Sequence, residues 1–141
     1  MLRTTKSLLL LALLASGCAT GMPDTRAEVT GEAGYRERIA VPPGTRFTAV
    51  LEDVSLADAP SVKLGETVIE NSGQPPYRFS ISYDPAQIIE SHTYTLRTSL
   101  HHEGRLLFTS DTHTPVITGG NPKQATLVMR KVGALQGDAE N

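Results

Sequence analysis

Tyr77, Phe79, Ile81 and Tyr83 are separated one by one by Arg78, Ser80 and Ser82. A spacing of two is what a strand with one buried face requires, and no helix can use it. The same period recurs along the chain and is cut every eight to twelve residues by turn formers such as Pro42-Pro43-Gly44, Asn71-Ser72-Gly73 and Gly119-Gly120-Asn121-Pro122. Strands at that interval predict a sandwich or barrel. With almost no helical periodicity, the expected fold is all-β: a small antiparallel β-sandwich of the Ig-like kind, with seven or eight strands.

The strands are placed as follows. "ERIAV" (37–41) is the first and "RFTAVLEDV" the second, with Phe47, Ala49 and Leu51 on one face. "SVKLGETVIE" follows, broken or bulged at Gly65, and then the strand from Tyr77 to Tyr83. "DPAQIIES" predicts the one short helical turn, capped by Asp84 with Pro85 at its first position, and Ile88 and Ile89 plug it into the core. "HTYTLRTSLHHEGRLLFTS" predicts a hairpin. A two-residue loop at Glu103-Gly104 sets Leu100 against Leu107, whereas a three-residue loop, His102 to Gly104, sets Leu100 against Leu106 and Thr98 against Phe108. The three-residue loop keeps apolar side chains together and is the register expected. "TPVIT" and "QATLVMRKV" supply the last strands.

The first residues belong to no strand. Arg3 and Lys6 precede a run, Ser7 to Ala15, that is apolar after its first residue. A spanning helix needs about 20 such residues; a short run after a basic start reads as an export signal. It ends in Leu14-Ala15-Ser16-Gly17-Cys18, and Cys18 is the only cysteine among 141 residues. This end resembles the lipobox of bacterial lipoproteins. The resemblance implies cleavage before Cys18, a diacylglycerol on its thiol and a fatty acid such as palmitate on the new amine. It also implies export to the outer membrane, since Ala19 rather than an aspartate follows. The organisation expected is therefore a signal peptide over 1–17, a lipidated tether over 18–34, a β-domain over 35–132 and a disordered tail over 133–141. The tether, "ATGMPDTRAEVTGEAG", lacks a sustained apolar period. Fully extended, such a segment reaches about 50 Å, at roughly 3.3 Å per residue.

Loss of Arg3 and Lys6 from 13 basic side chains leaves 11 against 15 acidic ones. That balance offers no electrostatic footprint for nucleic acid. With Cys18 spent on lipid no disulfide forms, and with no Trp the core depends on aliphatic packing.

The middle of the chain, in "YRERIAVPPGTRFTAVLEDVSLADAP", "PPYRFSISYDPAQI" and "HTYTLRTSLHHEGRLLFTSDTHTPVITGGNP", resembles the YbaY-type lipoproteins. Those are grouped with YscW, the lipoprotein chaperone (pilotin) of type III secretion. The resemblance implies a prealbumin-type β-sandwich that assists assembly of a secretin ring at the outer membrane. It transfers no functional residue apart from the lipid cysteine.

No constellation carries a reaction. Ser110, Asp111 and His113 are close in sequence, but a triad needs its members to converge from separate elements beside an oxyanion pocket. His101 and His102 point to opposite faces of a strand, and His92 and His113 have no metal-ligand spacing. Glu52-Asp53 and Glu66/Glu70 read as solvated strand faces, and no glycine-rich phosphate cradle is present. No catalytic, cofactor or metal site is expected. The leading expectation is a non-catalytic binding or assembly module, anchored by Cys18 on the periplasmic face of the outer membrane, with an envelope or secretion-system protein as partner. The alternatives are a small-ligand or glycan binder, with Tyr77, Tyr83, Tyr94 and His102 lining its surface, and a passive envelope lipoprotein.

Overall fold

The structure, a computed structural model, describes residues 25–133; Cys18 and the leader lie outside them. Eight strands follow one another: β1 (Ala27–Tyr35), β2 (Arg46–Asp53), β3 (Val62–Ile69), β4 (Tyr77–Tyr83), β5 (Tyr94–His102), β6 (Arg105–Ser110), β7 (Pro115–Val116) and β8 (Gln124–Lys131). One 3₁₀ turn, Pro85–Gln87, interrupts them, and Asp84 Oδ1 accepts from the Ala86 N–H at 2.9 Å. The described residues are all-β, as the alternation requires.

It is one rolled sheet rather than two stacked ones. The strand order is β3-β2-β5-β6-β8-β1-β4, with β7 added beside β5. The outer strands β3 and β4 meet across the roll: Thr67 Oγ1 donates to the Ser80 carbonyl. A Cβ at Gly65 would lie 2.7 Å from both Ser82 O and Ile81 Cγ2, so only glycine lets these strands come together there. The expected sandwich is thereby corrected to a nearly closed barrel. The wholly antiparallel expectation is corrected too, because β1 and β8 run parallel.

β1 is the largest departure from expectation. Ala27 to Gly34 was assigned above to the tether, yet it lies between β4 and β8 deep in the sheet. Its inward residues are Val29, Gly31 and Ala33, with Val29 and Ala33 fully buried. A Cβ at Gly31 would sit 2.4 Å from Phe79 Cζ and 2.9 Å from the Ala125 carbonyl. The inward face is small because the Phe79 ring occupies the space, and small residues erase the apolar signature by which a strand is recognised.

Residues 37–41, expected as the first strand, join no ladder and start with a bend at Glu37 and Arg38. The Gln74 amide stands in for a neighbouring strand, accepting from the Val41 N–H and donating to the Val41 carbonyl, both at 3.1 Å. β2, β4 and β8 keep the predicted alternation, and Phe47, Ala49 and Leu51 are buried. β3 bulges at Leu64, beside Gly65, where Leu51 pairs with Gly65 and Glu52 with Lys63. Ile88 packs on the core while Ile89 stays exposed.

The hairpin has the shorter loop. Glu103 and Gly104 both have positive φ, 49° and 77°, the pair that a type I′ turn needs to match strand twist. A bulge then shifts the register, so that His101 pairs with Leu106 but Leu100 with Phe108. The extra residue restores apolar pairing without a three-residue loop.

Gly31→Ala is expected to lower the unfolding free energy by about 1–3 kcal/mol, the usual cost of overpacking. At Gly34 the nearest atom to an added Cβ is Pro75 Cβ at 3.7 Å, so Gly34→Ala should move it by no more than about 0.5 kcal/mol. Urea unfolding of the two variants checks this; equal effects would show that β1 is not pressed against the Phe79 ring.

Candidate functional site

The strand directions give the roll two ends. At one, the chain comes in at Thr25 and β2 gives way to β3, β4 to the 3₁₀ turn, and β6 to β7. At the other lie residues 36–45, the β3–β4 turn, the β5–β6 turn and the end of β8.

The first end is tied by polar side chains that read in sequence as a solvated face. Glu52 is buried, its side chain 8% exposed, and pairs with Arg97 Nη2 at 2.9 Å while accepting from Ser61 Oγ. Asp53 Oδ1 accepts from the Ser55 N–H at 2.9 Å and from Ser55 Oγ, and Asp53 Oδ2 lies 2.6 Å from His92 Nδ1. An ionised carboxylate only accepts, so Nδ1 carries the hydrogen. Burial opposes ionisation of Asp53, but the hydrogen bonds from Ser55 and His92 outweigh it and hold its carboxyl below the ordinary value of 3.8. Thr93 N–H donates to Ser55 Oγ at 2.8 Å, and Thr118 Oγ1 to the His92 carbonyl at 2.6 Å. The correction to Glu52 and Asp53 has a plain cause: their charged partners, Arg97 and His92, lie far along the chain, His92 being 39 residues from Asp53. Glu66 and Glu70 are exposed as expected, paired with Lys63 and Arg46.

Ser110, Asp111 and His113 do share a polar groove of about 320 Å³ with Thr95 and Arg97. They form no triad there. Ser110 Oγ accepts from the Thr98 N–H at 3.0 Å, and Asp111 pairs with Arg130 at 2.7 Å. His92 lies at the opposite end from His101 and His102, and no group of three metal-ligating side chains occurs among the described residues. Tyr77, Tyr83 and Tyr94 are buried in the core rather than gathered with His102 on one surface. Burial pushes the Tyr77 hydroxyl up to about 12, with Tyr35 adding to the shift, and the hydroxyl donates to the Gly73 carbonyl at 2.9 Å.

The second end carries a feature that alternation does not reveal. Ile39, Val41 and Pro42 face Leu106, Leu107 and Phe108 across an apolar groove of about 590 Å³, with Arg105 and Lys131 at its rim. Its floor is fixed by the Val132 N–H, which donates to the Leu107 carbonyl at 2.9 Å, and by Tyr35 stacked on Phe108 at 4.3 Å. One wall is the segment held at Val41 by Gln74. Ile39 and Leu106 are exposed in it, and a monomer gains nothing by leaving such a groove open. Arg105 and Lys131 enter no salt bridge among the described residues.

A filled all-β roll with an apolar groove on its outside has the build of a binding module. The comparisons carry this further. The family model for the type III secretion system lipoprotein chaperone (YscW) matches residues 24–129, and the chain belongs to that family. The matched range begins just before β1, in accord with a domain that starts earlier than Tyr35. The chain is 36% identical over 102 residues to the uncharacterized lipoprotein YbaY of Escherichia coli (strain K12), a match taking in 71% of this chain and 54% of YbaY. It thus spans about half the length of that curated relative. A solved structure, an alternative pilotin from the type II secretion system of Vibrio cholerae, superposes with a TM-score of 0.74 at 36% identity, covering 77% of this chain and 99% of the pilotin.

Asp53→Asn should cost about 1.5–3 kcal/mol at neutral pH, the usual worth of hydrogen bonds to a charged group. The folded carboxyl titrates below its unfolded value of 3.8. Its contribution is therefore present above that pH and fades on acidification through the folded value. Denaturant melts of the native chain and the variant should converge as the pH falls through the titration of the folded carboxyl; a gap independent of pH would show that the charge is not what matters.

Proposed function

We propose that this chain is a lipid-anchored, non-catalytic assembly module of the bacterial envelope. It sits on the periplasmic face of the outer membrane and assists a secretion channel of the secretin kind. The observation that carries this reading is the superposition on a type II secretion pilotin over 99% of that protein's length. Membership of the lipoprotein-chaperone family supports it. Anchoring rests on Cys18 at the foot of the apolar leader, and outer-membrane sorting on Ala19 after it.

The receiving surface is the groove between residues 39–42 and β6. Its walls are aliphatic and its rim holds Arg105 and Lys131, which suits a client segment with apolar side chains and acidic neighbours. Recognition there needs no chemical step.

In cells lacking the protein, assembled secretin multimers should fall and the wild-type gene should restore them. Ile39→Asp combined with Leu106→Asp places two carboxylates at exposed positions of the groove, where the fold tolerates them. That variant should restore multimers at least tenfold less well, because each desolvated charge costs more than 1.4 kcal/mol. Cys18→Ser should shift the protein from the membrane to the soluble periplasmic fraction. Full restoration by the groove variant would sink the groove assignment, and unchanged secretin assembly in the deletion strain would sink the role.

A further inference from the structure

The three most exposed large apolar side chains among the described residues all lie at one end of the roll: Leu56 (66%), Val62 (60%) and Ile89 (50%). Val62 opens β3 opposite Asp53, the last residue of β2; Leu56 is on the loop between those strands; Ile89 follows the 3₁₀ turn. They are not on loose loops. Val54 N–H donates to the Thr93 carbonyl at 3.0 Å, Thr93 N–H to Ser55 Oγ, and Ile89 N–H to Tyr94 Oη at 2.9 Å. The Asp53–His92 pair joins the same two segments. The polar network thus holds an apolar platform in place.

Thr25 and Arg26, through which the chain comes in, lie beside Leu64, Ser82, Asp84 and Gln87 at this same end. Because β1 is a strand of the roll, only residues 19–24 separate Cys18 from Thr25. Seven peptide steps reach at most about 25 Å, half of what a tether running to Gly34 would allow. An acyl anchor that close favours this end of the roll as the one that meets the bilayer.

We propose that this end is seated on the lipid surface, with Leu56, Val62 and Ile89 entering the headgroup region of the leaflet that holds the acylated Cys18. The proposal rests on the lipid anchoring advanced above. Apolar side chains at a membrane interface supply the contact. The neighbouring exposed charges, Asp58, Lys63, Glu90 and Lys123, are mixed in sign, so binding does not depend on anionic lipid. The apolar groove at the opposite end is then turned away from the membrane, toward the periplasm.

The test uses the full chain, processed in cells and reconstituted in phosphatidylethanolamine/phosphatidylglycerol vesicles. With Cys18 acylated, a single fluorophore can be attached at Leu56→Cys or, at the far end, at Glu103→Cys. Brominated lipids should quench the first at least about threefold more than the second, in high salt as in low. Intact mass of the same samples reports acylation. An unmodified Cys18 overturns anchor and seating together. An acylated Cys18 with equal or absent quenching at both positions overturns the seating alone. A photo-crosslinker at position 56 that captures a protein in whole cells, and no phospholipid, overturns it in favour of a protein partner.

Discussion

Two places where a Cβ is missing decide how this sheet can curl. At Gly31 the Phe79 ring rests on the backbone of β1, and at Gly65 the backbone of β3 reaches that of β4. Interiors are packed to crystal-like density, so a ring displaced by even one carbon would disturb what it touches. Phe79 lies 5.8 Å from Phe47, which stacks on Tyr77 at 4.9 Å. These aromatic rings, with the aliphatic residues of β2, β5 and β8, fill the axis of the roll. A chain without disulfides or Trp obtains its cohesion in this way, by closing one sheet around its few rings.

The two ends of the roll are built on opposite principles. One is locked by charge: Glu52 with Arg97 and Asp53 with His92 and Ser55 bind loops that would otherwise be long and loose. The other is locked by backbone mimicry, with Gln74 completing the hydrogen bonds of Val41, and leaves apolar side chains uncovered. A rigid rim beside an uncovered recess is what a binding surface needs, because little ordering entropy is then lost on association. A solved relative and family membership lead to the same kind of protein from outside this chain.

Much of this was legible beforehand, and the exceptions have physical causes. Alternation located β2, β4 and β8, and turn chemistry located the Asp84 cap and the reversals at Gly104 and Gly119. Alternation is blind to strand direction, so the parallel pairing of β1 with β8 was invisible, as was the single-sheet closure. β1 itself was missed because Gly31 and Ala33 occupy inward positions that normally announce themselves with large apolar side chains. The hairpin register departs from uniform pairing because a bulge allows the tight turn and the apolar pairing together. Glu52 and Asp53 passed for solvated residues because nothing local marks a carboxylate whose partners arrive from β5 and the segment before it. Resemblance pointed to the family, but the groove depends on contact between residues near 40 and near 107, which no motif records.

The pairing of the first strand with the last has a consequence for how such a chain comes into being. β1 is flanked by β4 and β8, so its second neighbour is not complete until Met129 has emerged. For a polypeptide threaded amino end first through a membrane pore, no subset of the earlier strands closes the roll. Non-local partners of this kind are acquired late and slowly. The architecture therefore keeps the roll open until the last of its described strands is in place.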